Sequence, residues 1–397
     1  MKKCEVCFGT NLEAVLNLEH HPLCDDLIPV GSNLENDVFH IEIAICKDCL
    51  TAHQLHQVDK ERLFPLTYHY RSRFTSDVLA GMEELRNHIT EKLGCLQGKL
   101  VLDVGCNDGS LLDFFAAKGA KTFGVEPTGA ASDAVGRDHV IINGYFTNDL
   151  ATNLSQSHGA MNIITFTNVF AHIENLGELL NAVQVLMDDE TILVIENHYL
   201  GSVLASNQFD TFYHEHPRTY SLNSFKMIAK RLGVSILDVQ FPKRYGGNIR
   251  VIMGQKHPGK YLERTEADEI LKSEMTFCDQ FGDMRTFIDR WKFDKRAQID
   301  RLVALCGPLP AKAFPGRAAI LIKMLNLSTD QISAVYEKPG SMKIGNYLPG
   351  TRIPIKSDEE IDYSKHKQVI NLAWHIAPEI KTYLKSLGFK GDLVSIV

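Results

Sequence analysis

Hydrophobic and polar residues alternate with two different periods along this chain, and each period predicts its own kind of element. In HIEIAIC (40–46) apolar side chains occupy every second position, which predicts a β-strand. In FTSDVLAGMEELRNHITEKLG (74–94) they return every three or four positions, which predicts an amphipathic helix that ends near Gly94. The region before about residue 60 contains only short strand patterns.

The central region repeats a strand followed by a helix. Short apolar runs at LVLDV (100–104), NIITFTNVF (162–170) and TILVIEN (191–197) predict strands, and a helix is predicted at 223–232. Because neighbouring parallel strands need crossover connections that are usually helical, this alternation predicts the α/β class with a doubly wound parallel sheet.

After about residue 257 the pattern first becomes helical, and a second, smaller α/β unit follows. This unit runs from 318–327 through a turn-rich segment and a predicted helix at 369–387 to a final strand. No internal repeat is visible in the sequence. The patterns and the chain length together predict three domains, at 1–62, 63–256 and 257–397.

The composition is that of an ordinary globular protein, with 44% hydrophobic and 23% charged residues. A net charge of −7 without any block of lysine and arginine argues against nucleic acid as a partner, since that binding relies on clustered positive charge. No stretch approaches the roughly 20 apolar residues that span a bilayer, and MKKCEVCFGT lacks a signal-peptide pattern. We therefore expect a cytoplasmic protein that binds small molecules, as a monomer or weak homo-oligomer.

Four of the nine cysteines form two CxxC pairs, Cys4 with Cys7 and Cys46 with Cys49. Each pair can present two thiolates from a tight turn, and two such pairs complete a tetrahedral zinc site. Four sulfur ligands leave no coordination position open for water, so the zinc is predicted to be structural. The alternative is four unrelated buried cysteines.

A glycine-containing turn, LDVGCNDGSLL, lies between a predicted strand and a predicted helix. Small residues there, including Gly105 and Asn107, let a ligand lie against backbone amides, and Glu126 ends the next strand, where a carboxylate can accept both ribose hydroxyls. Asp103 would repel a pyrophosphate but suits the positive charges of S-adenosylmethionine. This cofactor is therefore predicted. The alternatives are NAD, for which GxGxxG is lacking, and a purely structural turn.

Two polar residues, Asn168 and His172 in TNVFAHIEN, follow a later strand of the same predicted sheet. Open α/β sheets bind their ligands at the carboxyl ends of the strands, so we expect these side chains to face the sulfonium and the acceptor. Loop or helix-capping roles are the alternative for both.

The segment FDTFYHEHPRTYS (209–221) contains Tyr213, His214, Glu215 and His216 in succession. Adjacent side chains point to opposite faces of a strand and diverge by about 100° on a helix, so the four cannot all bind one metal ion. Proton transfer and a solvated surface loop are the remaining interpretations.

Together these motifs resemble those of the S-adenosylmethionine-dependent nucleotide-sugar C-methyltransferases, the bacterial sugar 3-C-methyltransferases with an N-terminal zinc-binding domain. The markers are the two CxxC pairs, LDVGCNDGSLL with VEP, FYHEH, YGGNIR, KIGNYLPGTRIPI and LAWHIAPEI, and the resemblance covers essentially the whole chain. It implies a zinc-binding domain, a central Rossmann-like methyltransferase domain and a C-terminal helical and α/β domain that binds the nucleotide sugar. The implied acceptor is a nucleoside-diphosphate 4-keto-6-deoxy sugar that is methylated at C-3.

The resemblance also implies catalytic roles for Tyr213, Glu215 and His216 of FYHEH and for Tyr70 of YRS, with His172 as a nearby polar contact. Removing a C-3 proton calls for a base with a near-neutral pKa, which histidine supplies, and we assign this role to His216. Glu215 is expected to orient an imidazole or a sugar hydroxyl, and the two tyrosines to donate hydrogen bonds to a developing oxyanion.

Three further residues are predicted to contact the substrate: Asn248 of YGGNIR, and Arg317 and Lys343 in glycine-containing C-terminal loops. The C-terminal region has no visible counterpart of LDVGCNDG followed by a ribose-binding acid, so we expect it to bind the acceptor's nucleotide and no second methyl donor. Two segments, AFPGRAA and ENHY, depart from the family's usual GAPAKG-like loop and E-x-P pattern. Because of these departures the resemblance does not identify the nucleotide or the configuration of the sugar, but it still implies the reaction type.

Three other functions fit parts of the sequence. A sugar O-methyltransferase would also need a base but would have no use for an enolate. A nucleic-acid methyltransferase with a zinc ribbon is disfavoured by the acidic charge balance. A non-catalytic nucleotide-sugar-binding protein on the same fold would lack methyl transfer.

Overall fold

The computed structural model describes residues 2–68, 70–255 and 264–397. The strands are β1 (Leu12–Pro22), β2 (Ile28–Pro29), β3 (Val38–Cys46), β4 (Ala52–Gln54), β5 (Leu100–Val104), β6 (Lys121–Glu126), β7 (His139–Asn143), β8 (Ile163–Thr167), β9 (Ile192–His198), β10 (Arg218–Thr219), β11 (Ser235–Gln240), β12 (Asn248–Gly254), β13 (Leu309–Lys312), β14 (Ile332–Glu337), β15 (Asn346–Tyr347), β16 (Ile355–Ser357), β17 (Gln368–Asn371) and β18 (Asp392–Ser395). The α-helices are α1 (Lys60–Leu63), α2 (Ser76–Leu93), α3 (Ser110–Ala116), α4 (Ala131–Ala134), α5 (Asn148–His158), α6 (Leu176–Val185), α7 (Leu200–Ala205), α8 (Leu222–Leu232), α9 (Arg264–Glu274), α10 (Phe277–Cys306), α11 (Ala318–Met324) and α12 (Ala377–Ser386). Among these described helices none is long and apolar enough to cross a membrane.

The chain forms two compact units, each assembled from separate segments. The first unit comprises Met1–Val15, Ile43–Ser206 and Glu215–Gln280. The second unit comprises Leu16–Glu42, Asn207–His214 and Phe281–Val397. The domain boundary predicted at 256/257 lies outside the described residues, and the predicted three-domain division stays a prediction.

The first unit is built on a seven-stranded sheet in the order β11-β12-β9-β8-β5-β6-β7. The five strands from β5 to β9 are parallel, which confirms the predicted doubly wound α/β sheet. At one edge of the sheet β12 runs antiparallel to both β9 and β11. Only the short connection 241–247 joins β11 to β12, and a parallel pair would need a crossover of roughly a dozen residues.

Helix α2 packs its apolar face on this sheet. The face contains Val78, Met82, Leu85 and Ile89, all buried in one cluster with side chains of β5, β8 and β9. The helix ends at Gly94, whose φ of +75° is the backbone conformation that glycine adopts most readily. The helix predicted at 74–94 is therefore confirmed.

A second sheet follows the order β1-β3-β4-β10. Strand β4 pairs with β3 on one side and with β10 on the other, where His53 lies opposite Arg218. Cys46 ends β3 and Cys49 lies in the turn before β4, so the second CxxC pair lies at the end of a hairpin.

The second unit contains a five-stranded parallel sheet in the order β16-β14-β13-β17-β18. The helix predicted at 369–387 was wrong at its start, because the chain first forms β17 and α12 begins only at Ala377. Val369 and Ile370 are fully buried and β-branched, which favours a central strand, and Pro378 lies in the first turn of α12, where proline is well tolerated.

Candidate active site and zinc centre

The two CxxC pairs come together within the first unit. The Sγ atoms of Cys4 and Cys49 are 3.5 Å apart, those of Cys7 and Cys46 are also 3.5 Å apart, and all four lie within 4.8 Å of one another. A tetrahedral zinc with Zn–S bonds of about 2.3 Å needs sulfur separations of about 3.8 Å. The four sulfurs therefore fit a zinc ion.

Hydrogen-bonding groups surround the sulfurs. The amide of Val6 points at the sulfur of Cys4 at 3.4 Å, and the amide of Gly9 points at that of Cys7 at 3.4 Å. Nε2 of the buried His53 lies 3.2 Å from the sulfur of Cys4. Hydrogen-bond donors of this kind commonly orient and tune metal ligands, so the donor set supports a structural zinc.

The turn after β5 is fastened to the end of β6. The Gly105 amide donates to the Val125 carbonyl at 2.7 Å, and the Asn107 amide donates to Oε2 of Glu126 at 3.0 Å. Oε1 of Glu126 accepts the Thr128 amide at 2.8 Å. Each carboxylate oxygen thus keeps a second lone pair with which to accept a ligand hydroxyl.

Backbone geometry explains the residue types in this turn. Gly105 has a φ of +72°, and a Cβ there would come within 2.4 Å of a methyl group of Val169, so no larger residue fits. Asn107 has a φ of +51°, and its side chain bonds the backbone of Tyr70 and Ser72. The predicted contact of Asn107 with the cofactor would therefore come from its backbone and not from its side chain.

Asp103 lies buried at the end of β5, where its carboxylate accepts a hydrogen bond from Oγ1 of Thr165 at 2.6 Å. Burial, with a smaller contribution from the charge of Glu126, raises the pKa of Asp103 to about 7. A cation placed beside this carboxyl would favour its charged form and bring the pKa down again. The environment of Asp103 thus suits a positively charged ligand.

Three imidazoles form a row in the first unit. The ring of His216 lies 4.9 Å from that of His172 and 5.1 Å from that of His198, between centroids. Nδ1 of His172 is 2.6 Å from the carbonyl oxygen of Glu215, so Nδ1 carries the proton and a neutral ring presents Nε2 as an acceptor. Burial lowers the pKa of His172, which favours this neutral form.

Two tyrosines continue the row beyond His198. The ring of Tyr245 lies 5.9 Å from that of His198, and its hydroxyl is 3.1 Å from the hydroxyl of Tyr70. Burial raises the pKa of Tyr245 well above its ordinary value, so its hydroxyl stays protonated and can donate a hydrogen bond. Glu215 accepts a hydrogen bond from the Tyr68 hydroxyl at 3.3 Å.

Three residues beside these predicted site residues, His198, Tyr245 and Tyr68, are not among the residues predicted above to be catalytic or ligand-binding. His198 ends β9, and the position of a polar residue at the carboxyl end of a predicted strand is a signal that could have identified it. Tyr245 lies in the YGGNIR turn with a φ of +54°. No pattern in the sequence distinguishes it from an ordinary turn residue.

The buried carboxylate of Glu196, in the ENHY segment, binds three neighbouring side chains. It accepts hydrogen bonds from Nε of Arg250 at 2.7 Å, from Nη2 of Arg244 at 2.6 Å and from Nδ2 of Asn248 at 3.1 Å. Nδ2 of Asn248 also lies 3.1 Å from Oδ1 of Asn168. Asn248, predicted to contact substrate, and Asn168, predicted to face the cofactor, are thus held together.

Other predicted site residues belong to the second unit. Arg317 is almost fully buried, with Nε 3.3 Å from Oδ2 of Asp210 and its guanidinium 5.1 Å from the centre of the Trp374 ring. The ammonium of Lys343 donates to the carbonyl of Phe314 at 2.8 Å. Arg317 and Lys343 therefore have protein partners, which a sequence-based assignment to open loops does not reveal.

The FYHEH motif is divided between the two units. Tyr213 and His214 belong to the second unit, whereas Glu215 and His216 belong to the first. Nε2 of His214 lies 3.1 Å from the carbonyl of Phe39, and burial lowers the pKa of His214 to about 4. Tyr213 is half-buried. Of the predicted catalytic residues, His216 lies beside Glu215 in sequence and beside the ring of His172 in space. Tyr70 is linked to His216 indirectly, by way of Tyr245 and His198.

Three family models match the chain in succession. Residues 4–64 match a zinc binding domain, residues 74–239 a methyltransferase domain and residues 243–396 a C-methyltransferase C-terminal domain. The chain is 27% identical over 399 residues to the C-methyltransferase NovU of Streptomyces niveus, covering 97% of this chain and 94% of that protein.

Further proteins are similar to part of the chain. A ubiquinone biosynthesis O-methyltransferase of Acinetobacter baumannii is 33% identical over 106 residues, which is 25% of this chain and 44% of that protein. Among solved structures, magnesium protoporphyrin IX methyltransferase from Synechocystis, with bound S-adenosylhomocysteine, is similar over 45% of this chain and 86% of its own, at 17% identity and a TM-score of 0.36. The PH0226 protein of Pyrococcus horikoshii is similar over 49% of this chain and 98% of its own, at 15% identity and a TM-score of 0.38.

Proposed function

We propose that this chain, an S-adenosylmethionine-dependent C-methyltransferase with an N-terminal zinc-binding domain, methylates a nucleoside-diphosphate 4-keto-6-deoxy sugar at C-3. The observation that carries the proposal is the row His172, His216 and His198, followed by Tyr245 and Tyr70. A carbon acid beside a ketone needs both a base for its proton and donors for the enolate oxygen, and this row supplies both.

His216 is proposed as the base that removes the C-3 proton of the sugar. As the C–H bond breaks, its electron pair moves towards the 4-keto oxygen and the proton passes to the imidazole. The neighbouring His172 is neutral because of its burial, so it does not oppose the positive charge that His216 acquires. When bound, S-adenosylmethionine supplies the electrophilic methyl group for the carbon.

The tyrosine pair is proposed to stabilise the enolate oxygen. The hydroxyls of Tyr70 and Tyr245 are in hydrogen-bond contact, so one can donate to the other while the other donates to the ligand. Glu215 is proposed to act as a positioning residue, because its backbone carbonyl fixes the His172 ring and its carboxylate bonds Tyr68. Tyr213 remains a proposed donor to the same oxyanion.

The second unit is proposed to bind the nucleotide of the acceptor, with Arg317 and Lys343 near the diphosphate. Asn248 is proposed to contact the sugar. The buried Oδ1 of Asn248 has no partner among the described residues, so it can accept a hydrogen bond from a sugar hydroxyl. The protein is further proposed to be a cytoplasmic enzyme of deoxysugar biosynthesis, as a monomer or weak homo-oligomer.

We expect the wild-type enzyme to exchange the C-3 hydrogen of the acceptor with solvent before any methyl group moves. The test incubates 4-keto-6-deoxy sugars carried by thymidine, uridine or guanosine diphosphate in deuterated water with S-adenosylhomocysteine, which has no methyl group to transfer. Mass spectrometry then follows deuterium uptake at C-3. A sugar that is methylated in the presence of the methyl donor but does not exchange would contradict the enolate mechanism.

We expect the substitution Glu126→Ala to weaken binding of S-adenosylmethionine about ten- to a hundredfold, because a hydrogen bond to a carboxylate contributes roughly 1.5–3 kcal/mol. Calorimetry with the purified variant measures this. Glu190→Ala, which removes an exposed carboxylate of the same unit, is the matched control and should bind the donor like the wild type. Unchanged affinity in Glu126→Ala would refute the assignment of Glu126 to the ribose.

A further inference from the structure

The sheet of the second unit repeats the strand order of the methyltransferase sheet. In the second unit the first strand, β13, is followed on one side by β14 and β16 and on the other side by β17 and β18. In the first unit β5 is likewise followed on one side by β6 and β7 and on the other side by β8 and β9. All of these strands are parallel to their neighbours. Sheets of this kind bind ligands beyond the carboxyl ends of the strands, next to the point where the order reverses.

The strand ends match in register as well. In the first unit Val104 pairs with Val125, and the next residue on β6 is Glu126. In the second unit Lys312 pairs with Tyr336, and the next residue on β14 is Glu337. An acidic residue thus ends the second strand at the same register in both units.

The turns that follow the first strands also correspond. Ala313 has a φ of +61°, close to the +72° of Gly105, and its amide donates to the Tyr336 carbonyl at 3.1 Å. The amide of Phe314, two residues after Lys312, donates to Oε1 of Glu337 at 2.6 Å, and the amide of Asn107, three residues after Val104, donates to Glu126. In both units an amide of the turn thus holds the carboxylate that ends the second strand.

The geometry points to Glu337 as the residue that binds the ribose of the acceptor's nucleotide, by accepting a hydrogen bond from its 3′-hydroxyl. Glu337 is half-buried, and its Oε2 has no hydrogen-bond partner among the residues that the structure describes. The inference rests on the proposed function, since it takes the second unit to be the part that binds the nucleotide.

The same comparison argues that this crevice does not take a second molecule of S-adenosylmethionine. The counterpart of Asp103 in register is Ala311, which has no charge to offer the ammonium and sulfonium groups. The next residue, Lys312, is a buried cation whose ammonium is 2.6 Å from Asp358. A nucleoside whose remaining substituent is an anionic diphosphate suits this environment better than one that carries a cationic amino acid.

The test measures whether Glu337 and the 3′-hydroxyl of the nucleotide interact. Thymidine, uridine and guanosine 5′-diphosphates and their 3′-deoxy analogues are titrated calorimetrically into the full-length wild type and into Glu337→Gln. In the wild type, loss of the 3′-hydroxyl should weaken binding about tenfold or more, as expected for a hydrogen bond to a charged group. In Glu337→Gln the two ligands should bind alike to within about twofold.

The glutamine variant keeps an oxygen for the Phe314 amide, so its melting temperature and its affinity for S-adenosylmethionine should match those of the wild type. Asp330→Asn, at the other end of β14, is the matched control and should retain the preference for the 3′-hydroxyl. A preference that persists in Glu337→Gln would overturn the inference and leave the proposed function standing. A wild type that binds none of these diphosphates would overturn both.

Discussion

Replacing His216 with asparagine should lower the turnover rate about a hundred- to ten-thousandfold, which is the range expected for the loss of a general base. Asparagine keeps the approximate size and some hydrogen-bonding capacity of the imidazole but has no basicity. Binding of S-adenosylmethionine should be unchanged, because the residues assigned to the donor, such as Glu126, are held by contacts that do not include His216.

The exchange assay separates this role from a merely structural one. His216→Asn is incubated with the 4-keto nucleotide sugar and S-adenosylhomocysteine in deuterated water, and uptake of deuterium at C-3 should be slowed as strongly as turnover. His214→Asn is the matched control in the same motif, since Nε2 of His214 lies against the Phe39 carbonyl and burial lowers the pKa of His214 to about 4. If His216→Asn exchanges at the wild-type rate, the base lies elsewhere, and Glu215 is the first candidate.

Elements governed by local chemistry could be predicted from the sequence. The two CxxC pairs specify their own turns, and the glycine turn with Glu126 follows from residues within one βαβ unit. The helix at 74–94 and the strand at 100–104 likewise follow from periodicity within a single segment. In each case the decisive contacts join residues that are close in sequence or that repeat a short motif.

The imidazole row could be predicted only in part, because its members come from distant segments. His172 follows β8, His198 ends β9 and His216 precedes β10, so the row exists only once these strand ends are brought together. The FYHEH motif suggested one local group, yet its residues divide between two units. Sequence neighbours need not be spatial partners when adjacent side chains diverge.

The proposed ribose-binding residue Glu337 could not be identified from the sequence, for a different physical reason. A search for a nucleotide-binding turn relies on glycine, because glycine adopts positive φ without steric cost. Here Ala313 adopts a φ of +61° in the corresponding place, which a glycine pattern cannot detect. The repeated strand order is equally invisible in the sequence, because parallel buried strands share only their apolar character.

Zinc in the N-terminal region should be needed for turnover although it lies outside the proposed chemistry. The reason is the pairing of β4 with β10, in which His53 lies opposite Arg218. His53 contacts the sulfur of Cys4, and Arg218 lies two residues beyond His216. The carbonyl of Cys49 also accepts a hydrogen bond from Oγ of Ser221 at 3.1 Å. Loss of the metal should therefore loosen the segment that carries the proposed base.

The substitution Cys4→Ser tests this connection. Elemental analysis should find one zinc per chain in the wild type and a substantial loss in the variant, since removing one of four thiolates weakens a site whose binding energy contributes directly to local folding. Hydrogen exchange should then show lost amide protection in residues 2–54 and 216–221, with protection of strands β5 to β9 retained. Turnover should fall about tenfold or more, while donor affinity stays within about threefold of the wild type.

Cys95→Ser, which alters an exposed cysteine of the same unit, is the matched control and should keep both zinc and activity. A wild type without stoichiometric zinc would remove the metal hypothesis altogether. A variant that loses its zinc but keeps full protection in 216–221 would show that β10 is held independently of the metal. The combination of lost protection near His216 with an intact donor site is the result that this local coupling predicts, because global unfolding would abolish donor binding as well.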